Sequence, residues 1–450
     1  MEKEGGLEDR IKTAAKRFLE QSENKEIQII SHYDTDGITS ATIMIKCLKR
    51  LDKKFSLKIV KNLDKEFISK LPKEKVTLFL DLASNSLKEI EEAGLKNVFI
   101  LDHHEITQKI PPSIEIVNPE LYDKQEISAA GVTYLFCKEI NPESKELAKL
   151  AILGMIGDLL EKNISKLNSN IVEEGGIRRK KGLLLYPSTR PIDKVLEFCS
   201  NPYLPGITGN PTEIKEILRE AGIVPHKGKY KSLIELNDKE MEKLVTAIIL
   251  RNPGAKQEDL IGEIFLIKHY NKLEDGRELS AKINACSRLG KSDLALQFCL
   301  EFPKIKKQVE SMHAQYKQHI LSALQTINET KVAEGNDFVI FNAKNKIKDT
   351  IIGTIATILS SSTLYYKEGT SIITMAYSDK NKIKVSARSC KRKGRNVREI
   401  LEKTIQKTGG EIGGHAFAAG CTIPKSKEKE FLQILKRNLE FETIKISQKH

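Results

Sequence analysis

Three short apolar runs near the start of the chain, residues 27–31, 76–80 and 98–101, are bounded by charged or turn-forming residues and separated by helix-like segments. Continuous runs of this kind predict strands buried on both faces, hence βαβ units and a parallel sheet. The first run leads into His32, Asp34 and Asp36, the second stops at Asp81, and the third stops at Asp102 with His103 and His104 following. All lie past the carboxyl ends of the predicted strands, the edge where loops converge on a crevice in open α/β sheets.

Residues 144–160 are apolar at helical spacing and carry one acid, Asp158, inside the most apolar part. A lone carboxylate there is costly without a partner and calls for a cation. At residues 175–187 the chain changes to GGIRRKKGLLLYP, a glycine-rich basic connector. The pattern predicts a first domain over residues 1–190, a mostly helical insertion and connector over 191–330, and a smaller α/β domain over 331–450. Within the last, strand-like runs (338–341, 371–376, 382–387) alternate with helical ones (350–359, 397–408, 427–439). The fold class is α/β: a parallel sheet flanked by helices, a helical insertion that ends in bridging helices over 291–330, and a second, smaller α/β domain.

At 450 residues the chain is long enough for two or three cores. Lys+Arg of 74 against Asp+Glu of 61 gives a net charge of +13, a balance that suits polyanionic partners as well as a solubilising lysine surface. The seven cysteines are scattered, with no C-x-x-C pair, and suggest neither a disulfide framework nor a zinc knuckle. With no apolar leader and no stretch long enough to span a bilayer, the expected location is the cytoplasm and no membrane partner is expected.

The spacing of His32, Asp34 and Asp36 puts all three on one side of an extended strand end, and Gly37 permits a tight turn into a helix. Carboxylates mixed with histidines and without cysteine suit Mn²⁺ or Mg²⁺ better than structural zinc. Five or six such ligands fit two ions, and two ions activate a water for attack on a phosphodiester. SAAGVTY, residues 128–134, begins a helix with small residues and suits close packing on the sheet better than phosphate contact.

HYDTDG, DLASN, LDHH and GMIGDL, in that order, resemble the four motifs of the DHH phosphoesterase superfamily. The resemblance implies that Asp34 and Asp81, with His32, hold one ion, and that Asp36, Asp81, His103 and Asp158 hold the other, Asp81 bridging the two. It also implies that Asp102 orients the following histidine and that His104 contacts the scissile phosphate or leaving oxygen. GGEIGGHAFAAG, residues 409–420, is similar to the signature of DHHA1 domains, in which Gly413, Gly414 and His415 would contact a phosphate. Arg388 is expected to touch substrate, with Lys391, Arg392, Lys393 and Arg395 as a basic cluster for a nucleic-acid backbone. INACSRLGK, with Asn284, Ser287 and Arg288, resembles a metal-facing segment of archaeal RecJ-like proteins, where Arg288 would bind phosphate; Cys286-Ser287 departs from the glycine expected there. Tyr33, Tyr134, Tyr365, Tyr366 and Phe417 are candidate base-stacking residues.

Within the superfamily the chain looks most like archaeal RecJ-like nucleases, including the GINS-associated nuclease. That likeness implies end-first hydrolysis of single-stranded DNA or RNA, 5′ to 3′ on DNA, in replication or repair. Two alternatives stand beside it: a short-oligonucleotide or cyclic-dinucleotide phosphodiesterase, and a replisome scaffold that binds GINS and the replicative helicase.

Overall fold

In a computed structural model of the chain, residues 6–447 are described apart from 123–124, 163, 200–201, 203, 205, 254–259, 329–332, 362–365 and 379–380, with the backbone alone for 328 and 441–447. After helix α1 (Leu7–Gln21) come β1 (Ile27–His32), α2 (Thr35–Arg50), β2 (Phe55–Val60), α3 (Lys65–Ser69), β3 (Val76–Leu80), α4 (Leu87–Glu92), β4 (Asn97–Leu101) and β5 (Ile114–Val117). The strands pair in parallel in the order β2-β1-β3-β4-β5. Successive residues point to opposite faces, and both faces are covered. Ile27, Ile29, Leu78, Leu80, Phe99 and Leu101 pack into one core with α1 and α2. Ile30, Phe79, Val98 and Ile100 enter another with Ile68 and Ile90. This two-sided burial is why β1, β3 and β4 read as largely apolar runs rather than alternating ones, with the polar Gln28 and Thr77 bonded to each other inside the sheet. β2, at the sheet edge, alternates and is only half buried, so its FSLKIV pattern gave no such run.

The chain divides into two compact units, Met1–Lys181 with Glu263–His313, and Gly182–Gly262 with Ala314–His450. The first also contains α5 (Ala129–Ile140), α6 (Ala148–Gly157) and α7 (Lys166–Glu174), together with helices Gly276–Arg288 and Ser292–Cys299. Strands β6 (Arg178–Leu183), β7 (Ile261–His269) and β8 (Lys272–Asp275) form a three-stranded sheet. The section expected to be mostly helical therefore carries β7 and β8. A short apolar run such as IFLI cannot be assigned to strand or helix by periodicity alone.

In the second unit, helices Ile192–Phe198, Pro211–Glu220 and Asp238–Arg251 enclose an aliphatic core that includes Leu196, Ile214, Leu218, Leu244 and Ile248. The unit also holds a six-stranded sheet of β9 (Ala333–Gly335), β10 (Phe338–Asn342), β11 (Ser371–Ser378), β12 (Lys382–Ser389), β13 (Glu411–His415) and β14 (Ala418–Pro424), in the order β13-β14-β12-β11-β10-β9. β10 and β11 are parallel and the remaining pairs antiparallel.

Candidate metal centre

β1 ends at His32, and the chain turns directly into α2, so His32, Asp34 and Asp36 do not share one extended strand end as their spacing predicts: Asp34 precedes the helix and Asp36 lies in its first turn. Asp34 caps that helix by accepting from Gly37 N–H at 3.1 Å. Gly37 is required there, because a Cβ would lie 2.3 Å from the His32 carbonyl oxygen. Asp36 is buried, and its two oxygens accept from the Ala129 and Ala130 N–H groups at 2.7 and 2.9 Å. These amides open α5, behind the Ser128 cap, where a helix presents N–H groups with no partner of their own. The SAAG segment thus packs as its small residues suggest and also orients a candidate ligand.

Helix α6 reaches the same point through glycine. A Cβ on Gly154 would sit 2.3 Å from Asp36 Oδ1 and 2.5 Å from Ala130 Cβ, and one on Gly157 would sit 2.8 Å from Thr35 Cβ. This close approach delivers Asp158 beside Asp36. Asp158 is the residue that caps the C-terminus of α6, not an interior position as the apolar pattern predicts. From β3, Asp81 adopts a left-handed φ of +59° while its N–H donates to Leu101 O at 3.0 Å.

Around Asp81 the donors converge. His32 Nδ1 lies 3.1 Å from Asp34 Oδ2 and 3.3 Å from Asp81 Oδ2. His103 Nε2 lies 3.5 Å from Asp81 Oδ1, 3.4 Å from Asp158 Oδ2 and 3.8 Å from Asp36 Oδ2. Three overlapping sets have ligand atoms within 4.8 Å of one another: His32, Asp34 and Asp81; Asp36, His103 and Asp158; Asp81, His103 and His104.

Asp102 is different in kind. It is fully buried, and its Oδ1 accepts from His103 N–H (2.8 Å), His104 N–H (3.3 Å) and His104 Nδ1 (2.7 Å), while Oδ2 accepts from Ser84 N–H (3.1 Å). These contacts saturate the carboxylate and fix the DHH turn against the DLAS turn.

The charges follow from this geometry. Burial alone would raise the Asp102 carboxyl, but the charge and hydrogen bond of His104 hold it well below the usual range. Burial opposes protonation of His103 and His104, yet the surrounding carboxylates, Asp81 and Asp36 for the first and Asp102 for the second, raise each to about 9. Asp36 is pushed up to about 7 by burial and then by the charge of Asp81. Asp158 is pushed well above the carboxylate range by burial, then by Asp36 and Asp81. Its Oδ2 is buried and accepts no hydrogen bond. Acids crowded this way are short of positive charge, and a bound cation supplies it. The oxygen and imidazole donors fit a hard divalent ion.

Beside His32, the ring of Tyr33 has the Arg288 guanidinium and the Lys61 ammonium each 5.8 Å from its centroid. The ring borders a cavity of about 510 Å³ whose other walls include Lys61, Leu57, Leu296, Ser287 and Asp293. The buried Ser287 Oγ has no hydrogen-bond partner. Lys61 went unnoticed in the sequence because it lies on the edge strand's exit, far from every motif.

The remaining expected residues lie in the second unit. His415 pairs with Ala418, which pairs with Arg388 across three adjacent strands. Gly413, Gly414 and His415 are exposed. Gly414 has φ +112°, and a Cβ there would meet Ala418 O at 2.4 Å, whereas a Cβ on Gly413 would meet nothing within 4 Å. Arg388 donates to Ala387 O (2.9 Å), Ala419 O (3.2 Å) and Ser386 Oγ (3.2 Å). Arg395 does not join the basic cluster: it is buried and donates to the Asn336 and Asp337 carbonyls. Of the aromatic candidates, Tyr134 is buried with its hydroxyl donating to Glu174, and Tyr365 lies outside the described residues.

The DHH family N-terminal domain matches residues 26–155, the DHH-CID domain 185–258 and the DHHA1 domain 336–440. The uncharacterized protein MJ0831 of Methanocaldococcus jannaschii is 30% identical over 428 residues, which cover 90% of this chain and 91% of that protein. The chain belongs to the DHH family, as a RecJ-like protein with DHH and DHHA1 domains. RecJ from Thermus thermophilus, in complex with Mn²⁺, shares the fold with a TM-score of 0.61 at 18% identity, over 95% of this chain and 54% of that one. CDC45 from Entamoeba histolytica does so with a TM-score of 0.66 at 13% identity, over 95% of this chain and 99% of that one. No helix among the described residues is long and apolar enough to cross a membrane.

Proposed function

We propose that the chain is a two-metal phosphodiesterase that removes nucleotides from an end of single-stranded nucleic acid, 5′ to 3′ on DNA. The observation that carries this reading is the convergence of His32, Asp34, Asp36, Asp81, His103 and Asp158, with the buried Asp158 Oδ2 atom facing His103 Nε2 at 3.4 Å and accepting no hydrogen bond. His32, Asp34 and Asp81 would hold one Mn²⁺ or Mg²⁺, and Asp36, Asp81, His103 and Asp158 the other, with Asp81 shared. Bound there, such a pair lowers the pKa of a water and neutralises charge on a phosphoryl centre.

The protein's own groups would do the rest. Asp102 keeps His104 protonated and fixed through Nδ1, so His104 can donate from its other ring nitrogen to the leaving oxygen. Arg288 on the Tyr33 ring, with Ser287 and Lys61 lining the cavity that this ring borders, would seat a substrate phosphate. In the second unit, exposed Gly413 and Gly414 offer open backbone, and the His415 imidazole and the charge of the Arg388 guanidinium, two strands away, would face the phosphates of the strand. A net charge of +13 suits such backbone recognition.

The test is a time course with purified protein, Mn²⁺ and end-labelled single-stranded DNA and RNA, beside an Asp34→Ala control. Mononucleotide release from one end, lost in the control, is the expected result. Cleavage of dinucleotides alone would favour the short-oligonucleotide reading. Absence of any hydrolysis would favour a scaffold for GINS and the replicative helicase, which the CDC45-like fold supports as the second reading.

A further inference from the structure

The residue that follows Asp158 is held against both of its local preferences. Helix α6 ends at Gly157, Asp158 caps it, and Leu159 takes the next position with φ +61°, its N–H donating to Ile156 O at 3.2 Å. That left-handed position after a helix is one that glycine, or failing it asparagine, fills most easily, because a side chain brings Cβ against the following carbonyl. Leu159 is also 51% exposed. Its neighbour Leu160 turns inward and packs on the core, so the anchoring of the turn is already provided.

The other non-glycine left-handed residues of this site, Asp81 and Ala83, are buried at 2% and 6% exposure. Surrounding structure therefore accounts for their conformation. Among the described residues, Leu159 is the one branched aliphatic side chain with positive φ. A glycine there would relieve the backbone and remove apolar surface from water; neither local geometry nor packing explains a leucine.

We infer that Leu159, exposed and one residue from the candidate ligand Asp158, is a substrate-contacting residue whose side chain covers the apolar face of a nucleoside flanking the scissile phosphate. This rests on the phosphodiesterase reading of the same site and goes beyond it by assigning recognition of the base. The cluster to which Asp158 belongs consists of carboxylates and imidazoles suited to a cation and a phosphate. An apolar contact one residue from Asp158 distinguishes a nucleotide from a bare phosphodiester.

The experiment compares two single-stranded oligonucleotides in Mn²⁺, one with natural nucleosides and one with abasic residues flanking the terminal phosphodiester, using wild type, Leu159→Gly and Leu159→Met. Wild type should favour the natural strand. Leu159→Gly should raise KM for that strand roughly tenfold, the scale of one apolar contact, and abolish the preference, while Leu159→Met retains it. Thermal stability of the glycine variant should be equal or higher and its Mn²⁺ affinity by calorimetry unchanged. An unaltered natural-to-abasic ratio in Leu159→Gly overturns the contact, and so does a fall in Mn²⁺ affinity that accounts for the lost rate. If wild type cleaves neither strand, the phosphodiesterase reading fails first and takes this assignment with it.

Discussion

The two candidate contact surfaces of this protein are built on opposite principles. At the carboxyl edge of the first sheet, the chemical residues are mostly enclosed, hold one another through hydrogen bonds and carry more negative charge than their surroundings offset. Glycines there are demanded by fit, Gly37, Gly154 and Gly157 each having a neighbour inside 3 Å of a Cβ. On the β13–β14 hairpin, Gly413, Gly414 and His415 are exposed, and Gly413 has empty space around it. The first surface needs rigid ligand geometry and a cation; the second leaves backbone uncovered. That difference suits bond-breaking chemistry on the first surface and the holding of a strand on the second.

The largest effect should come from Asp81→Ala. Removal of the carboxylate common to two ligand sets should lower oligonucleotide hydrolysis by more than about 10³-fold, with near-native circular dichroism and reduced Mn²⁺ binding by calorimetry. Retained Mn²⁺-dependent activity would show that Asp81 is not shared.

Asp102→Asn should be milder, roughly 10- to 100-fold in rate, as for residues that orient others, and it carries a pH signature. Asp102 raises His104, which stands at about 9. An acid that must be protonated loses activity as pH rises through its pKa, so the variant's alkaline limb should move to lower pH. An unmoved limb would assign the proton to another group.

A pair of glycine substitutions gives the sharpest contrast at the smallest scale. Gly154→Ala forces a methyl toward Asp36 and should cost roughly 2 to 3 kcal/mol of stability, lowering both Tm and Mn²⁺ affinity. Gly413→Ala should leave Tm within a degree or two and change only KM for oligonucleotides, by a few-fold. Equal losses of stability in the two variants would erase the proposed distinction between the surfaces.

The sequence was most legible where burial left an unbroken signal. β1, β3 and β4 are covered on both faces, so their residues are mostly apolar, with buried Gln28 and Thr77 bonded to each other, and the acids at their ends stand out. β2 was not, being an edge strand whose serine and lysine interrupt the run. The β7–β8 pair hid in a section that reads as helical. Asp158 was found from its apolar setting, but its place at a helix end was not, because apolar composition continues through Leu159 and Leu160.

What the sequence determined by itself was the parallel strands, the spacing of His32, Asp34 and Asp36, and the identity of the donor atoms, since these depend on residues that are neighbours in the chain. The tertiary structure alone decided that Ala129 and Ala130 amides clasp Asp36, that Gly154 admits Asp158, and that Lys61 and Arg288 each approach the ring of Tyr33. Such contacts join residues tens to hundreds of positions apart. Only close packing of one helix or strand end on another fixes them, and local pattern carries no record of that distance.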